Sequence, residues 1–118
     1  MTSNEVIFSL LLLKQKNTDE YLGTILSMDE EQLEEQDLNQ IKPNIDFYIS
    51  TNGGSADEMF AVYDVMRMIK DEGVNTISTY GVGKVMSAGV LLLAAGTKGQ
   101  RRIGKYCGVM IHGVMAGQ

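Results

Sequence analysis

A chain of 118 residues, 44% hydrophobic and 21% charged, has the length and composition of a single globular domain, 1–118, able to bury roughly two thirds of its unfolded-chain surface. One Cys, Cys107, and one His exclude an internal disulfide and leave too few nitrogen and sulfur ligands for a zinc site, so no metal or cofactor is expected and a reducing, cytoplasmic setting is the default. The net charge of −5 is uneven, because eight of the fifteen acids fall between residues 17 and 41, where there is no Lys or Arg. The rest is mildly basic, but its cluster of Lys98, Arg101, Arg102 and Lys105 has only Tyr106 beside it and no nucleic-acid motif, so a solvated turn is the expectation and no nucleic-acid partner is implied.

In chain order, Val6 to Leu13 is apolar but too short to span a membrane, and no basic residue precedes it as a secretory signal would require. Leu10 to Leu13 with the following Lys-Gln-Lys reads as the end of a buried helix or strand. Residues 17–44 show a weak helical pattern through Leu33, Leu38 and Ile41, and read as an acidic, exposed helix or loop closed by Pro43. Ile45 to Thr51 is rich in β-branched and aromatic residues and stops at Asn52-Gly53-Gly54, which predicts a strand entering a glycine turn. Ser55-Ala56-Asp57-Glu58 fits a capping box, and Met59, Val62, Tyr63, Met66 and Ile69 recur at helical spacing, with Gly73 placed to end the helix in a left-handed conformation. The methionines at 59, 66 and 68 read as core filling.

Val74 to Tyr80 predicts a second strand, followed by Gly81 and Gly83 and a helix from Ser87 to Ala95 closed by Gly96. Gly99 to Gly104 reads as a turn with a short strand, and Gly108 to His112 as a further strand. Alternation of strand and helix with short connections implies an α/β fold with parallel strands and right-handed crossovers.

Two residues have the chemistry of a serine hydrolase. Ser87 stands at a helix entrance, where the amides that follow, Ala88 first, lack intrahelical acceptors. His112, at the end of an apolar run, is the one imidazole able to act as a base near neutral pH. Gly53-Gly54 offers a second oxyanion donor, because a glycine lets the backbone approach a substrate, and in a parallel sheet these strand ends share one edge. Each piece also has a plain structural reading: Ser87 as an N-cap, His112 as a hydrogen-bonded structural residue, and Asn52 to Ser55 as a turn and cap. Nucleotide binding through Gly81-Val82-Gly83-Lys84 fits poorly. Met86 occupies the third glycine of a dinucleotide fingerprint, and a phosphate-binding loop would need Ser or Thr at Val85 and Gly at Ser78.

Taken together, Asp46 to Ser55, Ala61-Val62-Tyr63-Asp64-Val65-Met66, Met86 to Arg101 and Met110-Ile111-His112 resemble the Clp protease proteolytic subunit family, as does the 25-residue interval from Ser87 to His112. The resemblance runs through a scaffold at 45–118 and fades over residues 1–44, where Ile7 to Leu13 resembles the family's first buried helix and about 17–44 looks like an insertion. It implies a crotonase-like spiral of strand-strand-helix units and an ATP-dependent serine endopeptidase acting on unfolded proteins. Ser87 is then the nucleophile, His112 the base, Gly54 and Ala88 the oxyanion hole, and Gly53, Ser55 and Ala56 part of the peptide-binding edge. It also implies a homo-oligomer and an AAA+ unfoldase partner. Asn52 stands where the family usually has proline and Ala88 where it usually has methionine, changes that leave the backbone donors in place. None of Asp46, Asp57, Asp64 or Asp71 falls on the family's catalytic aspartate, which lies well downstream of the histidine. The expectation is therefore a form incomplete at its C-terminus and feeble as a peptidase, or an inactive truncated paralogue kept as an assembly subunit.

Overall fold

Thr2 accepts a hydrogen bond from the Glu5 amide and so caps α1, Ser3–Leu26, the first element of the computed structural model, which describes residues 2–111. The apolar run at Val6 to Leu13 lies in the N-terminal half of this helix, so Leu10 to Lys16 is not the end of an element. Good helix formers carry it on through Lys14-Gln15-Lys16, supported by a Gln15–Asp19 side-chain bond of 2.9 Å one turn apart. Leu10 is its one buried residue. The remaining acidic segment holds α2, Glu30–Glu35, and a 3₁₀ turn, Leu38–Gln40, both without a buried residue. The capping box of this chain is here: the Asp29 carboxylate accepts from the Gln32 amide at 2.8 Å while the Gln32 side chain accepts from the Asp29 amide at 3.0 Å.

Strand β1, Asn44–Thr51, buries Ile45 and Ile49 on one face, with Asp46 and Tyr48 exposed on the other. Helix α3, Ala56–Asp71, follows the glycine turn and buries Val62, Met66 and Ile69, as its periodicity predicts. Met59 is half-buried against the same core, but Met68 is exposed and fills nothing. Gly73 adopts φ +78, and its amide donates to the Lys70 carbonyl at 3.0 Å, which ends the helix as expected.

Strand β2, Thr76–Met86, is longer than its sequence suggests, since it runs through both glycines. Along one edge it pairs in parallel with β1, from Asn44 opposite Thr76 to Thr51 opposite Val85. The register shifts between Ile49 and Thr51, where β2 carries Val82 and Gly83 as extra residues, and Gly83 takes φ +72. The other edge is shared in succession by β3, Arg101–Ile103, opposite Thr79 to Gly81, and β4, Gly108–Met110, opposite Lys84 to Met86. Arg101 and Arg102 thus lie on the short strand expected within Gly99 to Gly104, exposed to solvent, while Lys98 and Lys105 lie in exposed turns. Between β2 and β3 lies α4, Gly89–Ala94.

The helices cover one face of this parallel sheet. Ile45, Ile49, Ile77 and Val85 of the strands meet Val62, Met66 and Ile69 of α3, Leu92 and Leu93 of α4 and Leu10 of α1. Full burial of side chains such as Met66, Ile69 and Ile77 contributes about 1.5–3 kcal/mol each. The end of α4 and the segment after it are stitched to β2 by polar bonds: Thr79 Oγ1 donates to the Leu93 carbonyl at 2.7 Å in the interior, and Thr97 Oγ1 accepts from the Ile77 amide at 2.9 Å. On the uncovered face Tyr48 and Tyr80 stack with ring centroids 4.6 Å apart, and the Tyr80 hydroxyl donates to Asp46 at 3.3 Å.

Candidate active site

The C-terminal end of β2 delivers Ser87 at φ 56, the one non-glycine residue with positive φ among the described residues. A left-handed residue costs about 1–2 kcal/mol when it carries a Cβ, and here it converts the strand abruptly into α4. The reversal is closed by tight turn bonds from the Val90 amide to the Ser87 carbonyl and from the Leu91 amide to the Ala88 carbonyl, both 3.1 Å. Helix α4 therefore starts at Gly89 with Ala88 in the capping position, two residues later than expected, and no side chain caps it. The N-cap reading of Ser87 falls with that observation. Ser87 is half-buried, and its side chain is not spent on capping the helix.

Neighbouring strands hold Ser87 from both sides. Its amide donates to the Met110 carbonyl at 2.8 Å, extending the β2–β4 pairing beyond Met86 opposite Met110. On the other side is Gly53, in a turn fixed by Thr51: the Thr51 hydroxyl accepts from the Gly53 amide at 3.0 Å and donates to the Gly53 carbonyl at 3.2 Å. Gly53 adopts φ +97, and a Cβ there would meet the Ser87 Cβ at 3.0 Å. Thr51 was not singled out by sequence reasoning, although a hydroxyl two residues before a glycine is a signal of such a turn. Its Cγ2 also packs on Gly89, where an added Cβ would collide with it.

Among the described residues, the amides of Gly54 and Ala88 donate to no backbone or side-chain acceptor. Ser55 is the residue that caps α3, as its position predicts, but it makes no side-chain capping bond, so the box expected with Glu58 does not form. Its ψ of 128 is extended and Ala56 opens the helix. A cavity of about 440 Å³ begins at Gly53 and Gly54 and runs along β1 past Ile49, with Met59 of α3 in its wall. His112 lies outside the described residues, two positions beyond the last residue of β4. Of the aspartates, Asp46 is engaged on the uncovered face with Asn44 at 3.0 Å and Tyr80, and Asp71 lines a cavity at the opposite end of the sheet. Among the described residues no cluster of His, Cys, Asp and Glu could hold a metal ion, and no helix is long and apolar enough to cross a membrane.

A family model described as Clp protease matches residues 7–118. The match begins at Ile7, so it takes in α1 and the acidic segment as well as the scaffold from Ile45 onward. The chain is 41% identical over 68 residues to the ATP-dependent Clp protease proteolytic subunit 4 of Rhodococcus jostii, covering 58% of this chain and 33% of that one. To the ATP-dependent Clp protease proteolytic subunit 1 of Bifidobacterium longum it is 33% identical over 109 residues, 92% of this chain and 42% of the relative. The crystal structure of the ClpP protease catalytic domain from Plasmodium falciparum superposes with a TM-score of 0.67 at 29% identity, covering 93% of this chain and 47% of that one. The chain thus spans about a third to a half of the length of these relatives.

Proposed function

Because the chain belongs to the Clp protease family, we propose that it is a serine endopeptidase component in which Ser87 is the nucleophile and His112 its general base. The observation that carries this reading is the position of Ser87: left-handed between strand and helix, not spent as a cap, with Gly53 pressed against it on one side and Met110 bonded to its amide on the other. In the proposed reaction Ser87 Oγ attacks the scissile carbonyl carbon as His112 takes its proton. The carbonyl oxygen becomes an oxyanion and accepts hydrogen bonds from the amides of Gly54 and Ala88. Collapse breaks the C–N bond, the amine leaves with the proton from His112, and water then hydrolyses the acyl-serine by the reverse roles.

The substrate in this reading is an extended, unfolded peptide that pairs with the backbone at Gly53 to Ala56 and lays a side chain toward the cavity beside Gly54 and Met59. Cytoplasmic location, assembly with further copies of the chain and service to an AAA+ unfoldase belong to the same proposal. A second reading, a non-catalytic assembly subunit, is favoured by one observation: Asp46 is hydrogen-bonded to Asn44 and Tyr80 on the uncovered face and Asp71 lies at the opposite end of the sheet, so neither stands by Ser87 to orient a histidine. A fluorophosphonate probe with mass mapping of the adduct separates the two. Labelling at Ser87, abolished in Ser87→Ala and slowed in His112→Ala, is the expected result. An unlabelled Ser87 in folded protein leaves the scaffold reading, and labelling at Ser55 or Ser78 overturns the assignment of the nucleophile.

A further inference from the structure

At the end of the sheet opposite Ser87, where β1 and β2 begin, a second cavity of about 600 Å³ opens between α3, the turn ahead of β1 and the turn after α4. Its wall gathers cations from three separate segments: Lys42 before β1, Arg67 and Lys70 from the last turns of α3, and Lys98 beyond α4. Asp71 is the one carboxylate in that wall, so four positive side chains face one negative, a net of three positive charges in a chain whose overall charge is −5. Among the described residues none of these four cations forms an ion pair; the bridge that does form, Lys14 to Glu72 at 3.5 Å, lies outside the cavity wall.

Lys42 and Lys70 are half-buried in this wall and Arg67 and Lys98 exposed at it, so the cluster adds like-charge repulsion rather than folding energy. Lys70 registers the conflict: burial pulls its ammonium below the ordinary 10.5, the neighbouring Arg67 and Arg101 add to the effect, and Asp71 only opposes it. An anion bound in this wall would offset the repulsion between Lys70 and Arg67. The cavity lies within the size range of small-molecule sites. A phosphate group carries about −1.5 to −2 near pH 7, so two or three linked phosphates, rather than one, match the excess charge.

We propose that this basic cavity binds a compact polyphosphate group, a di- or triphosphate, whose oxygens are held by Lys42, Arg67, Lys70 and Lys98. Arg67 supplies the bidentate fork suited to two oxygens of one phosphate, and the three lysines act as point charges around it. The site shares no residue with the Ser87 region, so it stands whether or not the chain is a peptidase.

The test is a calorimetric titration of the 118-residue chain with inorganic tripolyphosphate and, separately, with adenosine triphosphate free of magnesium, in about 0.1 M salt so that diffuse attraction is screened. Saturable binding of one molecule per chain is expected. Since each lost charged bond weakens binding by about tenfold or more, Arg67→Gln/Lys70→Gln and Lys42→Gln/Lys98→Gln should both weaken it at least that far. Lys105→Gln, at an exposed cation outside the cavity, should leave it unchanged. Asp71→Asn should tighten binding, a gain that no folding defect produces. Equal affinity for the two probes identifies the phosphate chain as the whole ligand, and tighter binding of the nucleotide adds a base contact; both support the proposal. Absence of saturation, or equal weakening by Lys105→Gln, overturns it.

Discussion

Gly53 and Ser87 approach so closely that a Cβ placed on Gly53 would lie 3.0 Å from the Ser87 Cβ and 3.1 Å from the Met86 carbonyl oxygen, at a backbone φ of +97. Neither neighbour is the free end of a flexible side chain, so the added atom must move the backbone that carries the nucleophile. Gly53→Ala is expected to lose about 1–3 kcal/mol of stability from strain and crowding together. It should also slow phosphonate labelling of Ser87 by at least about tenfold, as small displacements of a reacting group do. Thermal melting and labelling rates measure the two effects separately, and normal labelling in Gly53→Ala would contradict the role given to this contact.

The left-handed Ser87 makes an opposite prediction for its own replacement. At φ 56 a Cβ is a liability, so Ser87→Gly should be more stable than Ser87→Ala by about 0.5–1.5 kcal/mol, after allowing for the extra freedom glycine has in the unfolded chain. Both variants lack the nucleophile and should be unlabelled. An equal or lower melting temperature for Ser87→Gly would argue against a left-handed conformation at this position.

Much of this geometry is legible in the residues themselves, and the parts that are not have a common cause. The β-branched run at Ile45 to Thr51, the helical stripe from Met59 to Ile69 and the stop at Gly73 are local patterns, and each forms as its pattern dictates. Gly81 misleads because local reasoning takes a glycine after a strand for a turn. Here it is buried inside β2, where an added Cβ would stand 3.2 Å from Val85 Cγ2 and 3.3 Å from Cys107 Sγ, so its smallness answers tertiary crowding. Ser55 misleads differently: sequence spacing can propose a capping box, but the φ/ψ that decides whether the hydroxyl reaches the amide is set by the neighbouring glycine turn. That Ser87 sits between Gly53 and Met110 depends on strand register over many residues, which no single motif encodes.

Thr51 and Gly89 couple the end of β1 to the start of α4. A Cβ at Gly89 would collide with Thr51 Cγ2, so Gly89→Ala should destabilise by about 1–3 kcal/mol. Thr51→Ser removes that methyl group but keeps the hydroxyl that closes the Gly53 turn. The double variant should therefore recover part of the loss, giving a favourable coupling of about 0.5 kcal/mol or more in a double-mutant cycle. Strict additivity would mean that the Gly89 requirement lies elsewhere.

Lys70 predicts a pH dependence with a definite sign. Its folded-state pKa is lowered from 10.5, by burial first and then by Arg67 and Arg101, so between the lowered value and 10.5 the unfolded chain holds more of this proton than the folded one. Stability contributed by this group must then rise with pH across that alkaline window and level off above 10.5. Lys70→Gln should remove this upward component from a plot of denaturant midpoint against pH, while the remaining cations of the cavity, Lys42, Arg67 and Lys98, and the carboxylate of Asp71 stay in place. An unchanged alkaline slope in the variant would assign the effect to another group.

Helix α1 predicts association. It leaves Phe8 at 65%, Leu12 at 57% and Leu26 at 83% exposure, and at the far edge of the sheet Ile103, Val109 and Met110 are exposed as well. Only Leu10 of this helix is buried in the core, with Val6 and Ile7 half-buried against it. Phe8 and Leu12 are one helical turn apart on the same face of α1, so their exposed side chains adjoin and burying them against another copy would remove apolar surface from water. Sedimentation at tens of micromolar should show species larger than a monomer, and Phe8→Glu/Leu12→Glu should shift the distribution toward the monomer without lowering the melting temperature of the core. A monodisperse wild-type monomer would show that this exposed pair is tolerated in water and that assembly, if it occurs, uses another face.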